Sequence, residues 1–198
     1  LCMKGLTTSS GGNISLKHNN KIYITPSGIP KETLTGSDII VMNMSGDILD
    51  CPSEIKPSIE SGFHVRILQT REDISAVVHA HPLYCSAIAS STLEINNRLI
   101  AESYAILGKI AYVHYKLMGS KELAESVKSA SENSNCILMR NHGIISLGKN
   151  LAHALDMIEV AENAAKLTIL HIGFIKSHTV ELSASELLEI DTLLGNIK

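Results

Sequence analysis

Two histidines one residue apart, His79 and His81, sit where an apolar run meets a proline, in Val77-Val78-His79-Ala80-His81-Pro82. On an extended segment residues two apart project to the same side, so both imidazoles face one point. A His-x-His pair on a strand is a ready way to give two nitrogen ligands to one Zn²⁺. The bland alternative is a pair of half-buried histidines closing a strand. A third histidine, His142, lies in Asn141-His142-Gly143 between two more apolar runs, 136–139 and 144–147. Alone it reads as a structural histidine; with the first pair it completes the three-nitrogen set of many catalytic zinc sites. Three protein ligands leave a coordination position for a substrate oxygen, whereas a structural zinc site closes with a fourth ligand, often cysteine. Cys85 is the cysteine nearest the pair, but Pro82 intervenes and Cys85 falls in a predicted helix.

Glu60, in Lys56-Pro57-Ser58-Ile59-Glu60, lies near the start of another predicted helix. A carboxylate beside a metal is a natural general base whose pKa burial can tune. The plainer reading is a solvated first-turn glutamate complementing the helix dipole. Glu54 competes for the role on residue type alone. Two small-residue loops, Ser10-Gly11-Gly12-Asn13 and Thr25-Pro26-Ser27-Gly28, could bring backbone N–H groups and hydroxyls against an anion. As sequence they are also ordinary turns. Ser58 adds a hydroxyl near a predicted helix N-terminus, which suits phosphate.

The elements that must hold these groups read as a mixture of hairpins and helices. Residues 13–17 and 21–25 alternate around Asn19-Asn20, and residues 38–42 and 47–49 flank Ser45-Gly46, both hairpin patterns. A helix is predicted to begin at Pro57, with Ile59, Phe63, Ile67 and Leu68 at helical spacing. Residues 74–78 form an apolar strand running into His79. Residues 83–90 and 120–131 read as helices, 136–139 and 144–147 as strands. Residues 151–172 form the longest helix, with Leu155, Ile158, Ala161 and Ala165 on its apolar face. Ser183 and Glu186 make a capping box for a last short helix. The pattern predicts one α/β or α+β domain over residues 1–198 with a largely antiparallel sheet.

Composition narrows the function. The chain has 198 residues, 44% hydrophobic and 19% charged, an ordinary globular balance. Aromatics are 4% with no Trp, and 17 Lys and Arg against 20 Asp and Glu give a net charge of −3. Neither a stacking platform nor a basic stripe is present, which argues against nucleic acid as partner. No apolar run reaches the length of a membrane span. Residues 1–6 lack the features of a signal peptide, and the leucine start predicts a short segment ahead of it. Four dispersed cysteines, Cys2, Cys51, Cys85 and Cys136, predict buried, inert thiols in a reducing, cytoplasmic compartment.

Taken together and in order, Ser10-Gly11-Gly12-Asn13-Ile14-Ser15, Ile24-Thr25-Pro26-Ser27-Gly28-Ile29, Pro57-Ser58-Ile59-Glu60 with Phe63-His64, Val77-Val78-His79-Ala80-His81 and Asn141-His142-Gly143 resemble the class II aldolase/adducin family. Within it they resemble the zinc-dependent fuculose-phosphate aldolase group. The resemblance implies a three-layer αβα sandwich, with helices on both sides of a central, mostly antiparallel sheet. It implies a homotetramer with active sites at subunit interfaces. Carried over by position, it makes His79, His81 and His142 the ligands of one Zn²⁺ per subunit and Glu60 the acid/base. It makes Gly12, Asn13, Ser27, Gly28 and Ser58 the substrate-phosphate residues. His64, four residues after Glu60, falls on roughly the same helix face and is expected beside the site or in the core.

The chain departs from the family pattern at Ile59, where the aldolases often have serine, and in having no tyrosine after Tyr115 to act as a tail proton donor. Tyr104, Tyr112 and Tyr115 are the remaining candidates, with Tyr104 put forward. The implied reaction is metal-dependent cleavage of a ketose 1-phosphate, such as L-fuculose 1-phosphate, to dihydroxyacetone phosphate and an aldehyde through a metal-stabilised enediolate. The same histidines also serve ribulose-5-phosphate 4-epimerases, which usually carry Asp at the Glu60 position. They serve dehydratases and decarboxylases of the family too. Adducin-like scaffolds have lost the ligands.

Overall fold

The computed structural model describes residues 1–52, 55–175 and 178–195; Glu54 lies outside them. Asn19 and Asn20 both take left-handed backbone angles (φ 47° and 59°). That is the two-residue turn whose twist matches paired strands, and it joins β1 (Asn13–His18) to β2 (Lys21–Ile24). The second hairpin, β3 (Ile40–Asn43) and β4 (Ile48–Asp50), turns at Gly46 (φ 91°). β3 starts at residue 40 because Gly36–Asp38 winds into a 3₁₀ turn capped by reciprocal Thr35 and Asp38 bonds. With β5 (Ala76–Ala80), β6 (Ile110–Val113), β7 (Cys136–Met139) and β8 (Gly143–Gly148) these form one eight-stranded sheet, ordered β4-β3-β2-β1-β5-β8-β7-β6. Every neighbour pair is antiparallel except β6 and β7, which are joined through the helix α4 (Lys121–Ser131), as a parallel crossover requires.

Alternation along the strands divides the core in two. On one face Ile22, Ile24, Val77, Ile137 and Ile145 meet Phe63, Ile67 and Leu68 of α1 (Ser61–Thr70) and Leu123 and Val127 of α4. On the other, Val78, Ala80, Leu138 and Ile144 meet α2 (Leu83–Ala89), α3 (Ala101–Leu107) and α5 (Leu151–Leu170) through Ile88, Leu107, Met157, Ile158 and Ala161. The sandwich is therefore three layers, αβα. α6 (Ala184–Leu193) opens with the Ser183–Glu186 capping box and packs on α3. Among the described residues, no helix is long and apolar enough to cross a membrane.

Several local expectations are corrected. α1 begins at Ser61 rather than Pro57, because Pro57 bridges to Pro26 and the Ser27 N–H donates to the Lys56 carbonyl. Those contacts hold the segment extended, as a residue before proline prefers. α5 ends at Leu170, and His171–Ile175 continue as a wider π turn. α3 and β6 have no counterpart in the sequence reading. Cys85 and Cys136 are buried, but Cys2 and Cys51 are only half-buried.

α2 starts immediately after His81 and Pro82, and its open N-terminus is held from another element. Glu162 of α5 accepts from the backbone N–H of Tyr84 at 2.9 Å and of Cys85 at 2.8 Å, satisfying donors that a helix start leaves free. Glu162→Ala should lower stability by about 1 kcal/mol, the usual cost of a lost cap, in chemical denaturation. An unchanged midpoint would show that the cap contributes nothing.

Candidate metal centre and substrate cleft

The sheet brings the chemistry to one of its ends. Asn13, first residue of β1, pairs with His79 across to β5, and Ala80 pairs with Ile144 across to β8. His81 is thus one residue past the end of β5, and His142 is one residue before β8 begins. Such closeness needs two glycines. A Cβ on Gly12 (φ 66°) would lie 2.5 Å from the His79 carbonyl oxygen. A Cβ on Gly143 would lie 2.5 Å from the Ala80 carbonyl oxygen and 2.6 Å from the His81 ring. Asn141 takes a left-handed φ of 56°, tolerable for asparagine, in the tight turn that carries His142.

Each of His79, His81 and His142 offers one ligand nitrogen, all within 4.8 Å of one another. The His79 ring is buried, and its Nδ1 lies 2.9 Å from the Ile144 carbonyl oxygen. The carbonyl can only accept, so Nδ1–H donates and Nε2 carries the free lone pair of the neutral ring. That Nε2 is buried without a hydrogen-bond partner, an arrangement that costs about 1–3 kcal/mol unless something fills it. Burial pushes the His79 imidazole down to about 3. Burial and the neighbouring His142 lower His81 as well. Neutral imidazoles are the ligating form. Three ring nitrogens with an adjacent carboxylate are a donor set that suits a divalent cation such as Zn²⁺, so the residues fit a metal. Among the described residues no cysteine joins the cluster.

Glu60 occupies the N-cap position of α1 and is buried. Its Oε1 lies 3.0 Å from His142 Nε2 and its Oε2 lies 3.4 Å from His79 Nε2. Oε1 makes no hydrogen bond despite that approach. Asn13 Nδ2 donates to Oε2 at 2.8 Å. Burial alone would raise the Glu60 carboxyl, but His142, His79 and the Asn13 bond together outweigh it and hold it below the ordinary carboxylate range. At neutral pH Glu60 is therefore ionised, a base facing the point on which the imidazoles converge.

The expected phosphate residues divide into two groups. Ser27 and Ser58 line one open cleft of about 540 Å³ with Lys56, Pro57, Ile59 and Ser61. Gly28 adjoins it, with φ 76° and open space around its Cα. Gly12 instead backs the His79 carbonyl, and the Asn13 side chain is turned to Glu60. Tyr104 is not brought to the cluster within its own subunit: its hydroxyl donates to Asp191 on α6 at 2.9 Å. Tyr112 is also engaged elsewhere, its hydroxyl accepting from the Ile95 N–H.

Lys56 and Ser15 were not among the expected site residues, whereas His64 was expected beside the site or in the core and lies beside it. Lys56 stands in the cleft, and Ser15 and His64 form a buried hydrogen-bonded pair behind Glu60 (Oγ to Nδ1, 2.7 Å). The available signal was spacing: Ser15 shares a strand face with Asn13, and His64 lies one helical turn beyond Glu60.

Comparison with known proteins gives consistent results. Residues 1–169 match the family model for the class II aldolase and adducin N-terminal domain. An L-fuculose phosphate aldolase from Methanococcus maripaludis is 42% identical over 159 residues, covering 80% of this chain and 84% of the relative. The protein of the same name from Escherichia coli K12 is 34% identical, covering 82% of this chain and 74% of its own length. A solved L-fuculose 1-phosphate aldolase superposes with a TM-score of 0.88 at 32% identity, over 98% of this chain and 91% of that one.

The buried imidazoles make a pH prediction. In the unfolded chain His64 and His79 take up protons near pH 6.5; in the native protein burial holds both down to about 3. Below pH 6.5 the unfolded state therefore binds protons that the native state does not. Stability is lost as pH falls from 6.5 toward 3, by about 1.4 kcal/mol per pH unit for each ring. The melting temperature of chelator-treated protein should fall between pH 6.5 and 5, with a shallower slope in His64→Gln. A flat profile would contradict the burial argument.

Proposed function

The chain belongs to the class II aldolase and adducin family, and from that premise we propose that it is a metal-dependent aldolase. It cleaves a ketose 1-phosphate, such as L-fuculose 1-phosphate, to dihydroxyacetone phosphate and an aldehyde. The observation that carries this reading is the ionised, buried carboxylate of Glu60 facing three imidazoles whose ligand nitrogens lie within 4.8 Å of one another. The names of the relatives point the same way, and a glutamate rather than an aspartate at position 60 favours the aldolase over the 4-epimerase.

Zn²⁺ held by His79, His81 and His142 would supply Lewis acidity, drawing the substrate carbonyl and neighbouring hydroxyl oxygens together and taking up the charge released on cleavage. The remaining work falls to the chain. The hydroxyls of Ser27 and Ser58, with Lys56 in the same cleft, hold the phosphate and so fix the distance from C1 to the reacting carbons. Ile59, 61% exposed, offers no donor, so Lys56 supplies the charge that an extra hydroxyl would have complemented. As the C3–C4 bond breaks, the C4 hydroxyl loses its proton and the bonding pair stays with C3. Glu60, ionised at rest, takes up the proton shed at the C4 hydroxyl and then delivers it to C3, so the proton count closes within the site. In the reverse, condensing direction the ionised Glu60 removes that proton.

The assembly completes the proposal. With the Tyr104 hydroxyl on Asp191, a tyrosine acting at C4 would come from a neighbouring subunit. Tyr115, Leu117 and Met118 are exposed apolar surface directly before Gly119, which packs against Ile59. A homotetramer with its sites at subunit interfaces would cover this surface.

Dihydroxyacetone phosphate release from a panel of ketose 1-phosphates is the test. The zinc-loaded protein should release it from at least one. Glu60→Gln should cut that rate by roughly 100- to 10,000-fold, the span of a lost proton-transfer group, with bound zinc nearly unchanged. Full activity in the variant would remove Glu60 from the mechanism. Interconversion of pentulose phosphates without release would move the assignment to the epimerase.

A further inference from the structure

Behind Glu60 runs a line of buried polar side chains that the reaction itself does not use. Ser15, Asn13 and His64 are all buried, between β1 and α1. Ser15 Oγ lies 2.7 Å from His64 Nδ1, His64 Nε2 lies 2.5 Å from Asn13 Oδ1, and Asn13 Nδ2 lies 2.8 Å from Glu60 Oε2. The direction of each bond follows from what each atom can do. An ionised carboxylate only accepts, so the Asn13 amide must present its NH₂ to Glu60 and its carbonyl oxygen to His64. His64 Nε2 must then carry a hydrogen, whatever the state of Nδ1. In the neutral ring that burial favours, Nδ1 accepts and Ser15 donates to it.

We propose that Ser15, His64 and Asn13 form a one-directional hydrogen-bond relay, and that His64 is a positioning residue for the proton transfer at Glu60. The inference rests on the function proposed above and deepens it. An asparagine amide is symmetric in shape but not in chemistry: turned over, it would aim a carbonyl oxygen at the carboxylate. A flipped amide would set two oxygens against each other at Glu60 and would need His64 to carry its hydrogen on Nδ1 with Ser15 accepting. With Ser15 donating, His64 Nε2–H satisfies the productive orientation at both ends. The relay fixes Oε2 and leaves Oε1 directed at His142, where the reacting carbon and the imidazoles must meet. A buried network in which every member has a partner is rigid in a way that a half-satisfied one is not.

The test separates positioning from mere packing. His64→Leu removes the N–H while keeping an apolar fit; zinc-loaded, it should keep full zinc and near-normal KM while kcat falls roughly 10- to 100-fold, as for other groups that orient a site from behind. His64→Gln, which returns an N–H near the Nε2 position, should recover most of that loss. Ser15→Ala, the smaller change, should lower kcat about fivefold, the equivalent of one neutral hydrogen bond. A loss confined to KM or to zinc content, or no recovery with glutamine, would overturn the proposal. A second readout needs no turnover and stays valid if no ketose phosphate is cleaved. In zinc-loaded protein labelled with ¹⁵N-histidine, His64 should show an exchange-protected Nε2–H at neutral pH, and this signal should shift in Ser15→Ala. A bare Nε2 would refute the relay even if the aldolase activity stands, and an intact relay without activity would refute only the function.

Discussion

An ionised carboxylate kept dry beside three converging imidazoles is the constraint around which this protein is arranged. Removing Glu60 from water disfavours its charge. Its Oε2 is answered by the Asn13 amide, and its Oε1 is answered by no hydrogen bond. The Nε2 of His79 is in the same condition. Two orphaned atoms of the same kind, both electron-pair donors, one an imidazole nitrogen and one a carboxylate oxygen, face a common point. A folded chain tolerates such a deficit where a ligand makes it good, and a cation satisfies both at once.

The rest of the fold can be traced to holding that point still. The β1–β5 register sets Asn13 opposite His79 and therefore sets the carboxylate partner opposite a ligand. Two glycines let the β1 and β8 ends close onto the β5 carbonyls. α1 presents Glu60 from its N-cap and buries Phe63, Ile67 and Leu68 one turn or more further on. The apolar face that anchors the helix is thus the device that fixes its first polar residue. On the opposite layer α5 reaches across with Glu162 to hold the start of α2, just beyond His81. His79 lies within β5, and His81 and His142 lie one residue outside β5 and β8, so the sheet places all three ligands directly, which suits a site needing sub-ångström placement.

Much of this was legible in the sequence, for identifiable reasons. Asn19-Asn20 announced a hairpin because both residues tolerate positive φ, and His-x-His announced a shared face because strands alternate. The Ser183–Glu186 box and the long apolar stripe of α5 are local signals, and local signals survive into the fold. Where tertiary contacts decided, the sequence was silent. The start of α1 moved to Ser61 because Pro57 bridges to Pro26, thirty-one residues away in the chain. α3 and β6 are held by packing and by pairing with β7, with no clear periodicity of their own. Asn13 fits a phosphate loop by motif, yet its side chain is bound to Glu60 and His64. That allegiance depends on two contacts 47 and 51 residues distant, which no pattern in the chain encodes. His64 was placed near the site by helical spacing, but its role emerged only from its two partners.

The central claim is that His79, His81 and His142 form an open metal centre with Glu60 beside it. The most direct measurement is anomalous diffraction at the zinc absorption edge from crystals of the zinc-loaded protein. The account predicts one peak per chain, bonded to His79 Nε2 and to one nitrogen each of His81 and His142, with a position left for substrate oxygen. A peak elsewhere, a centre closed by cysteine, or no peak at these three rings would contradict it.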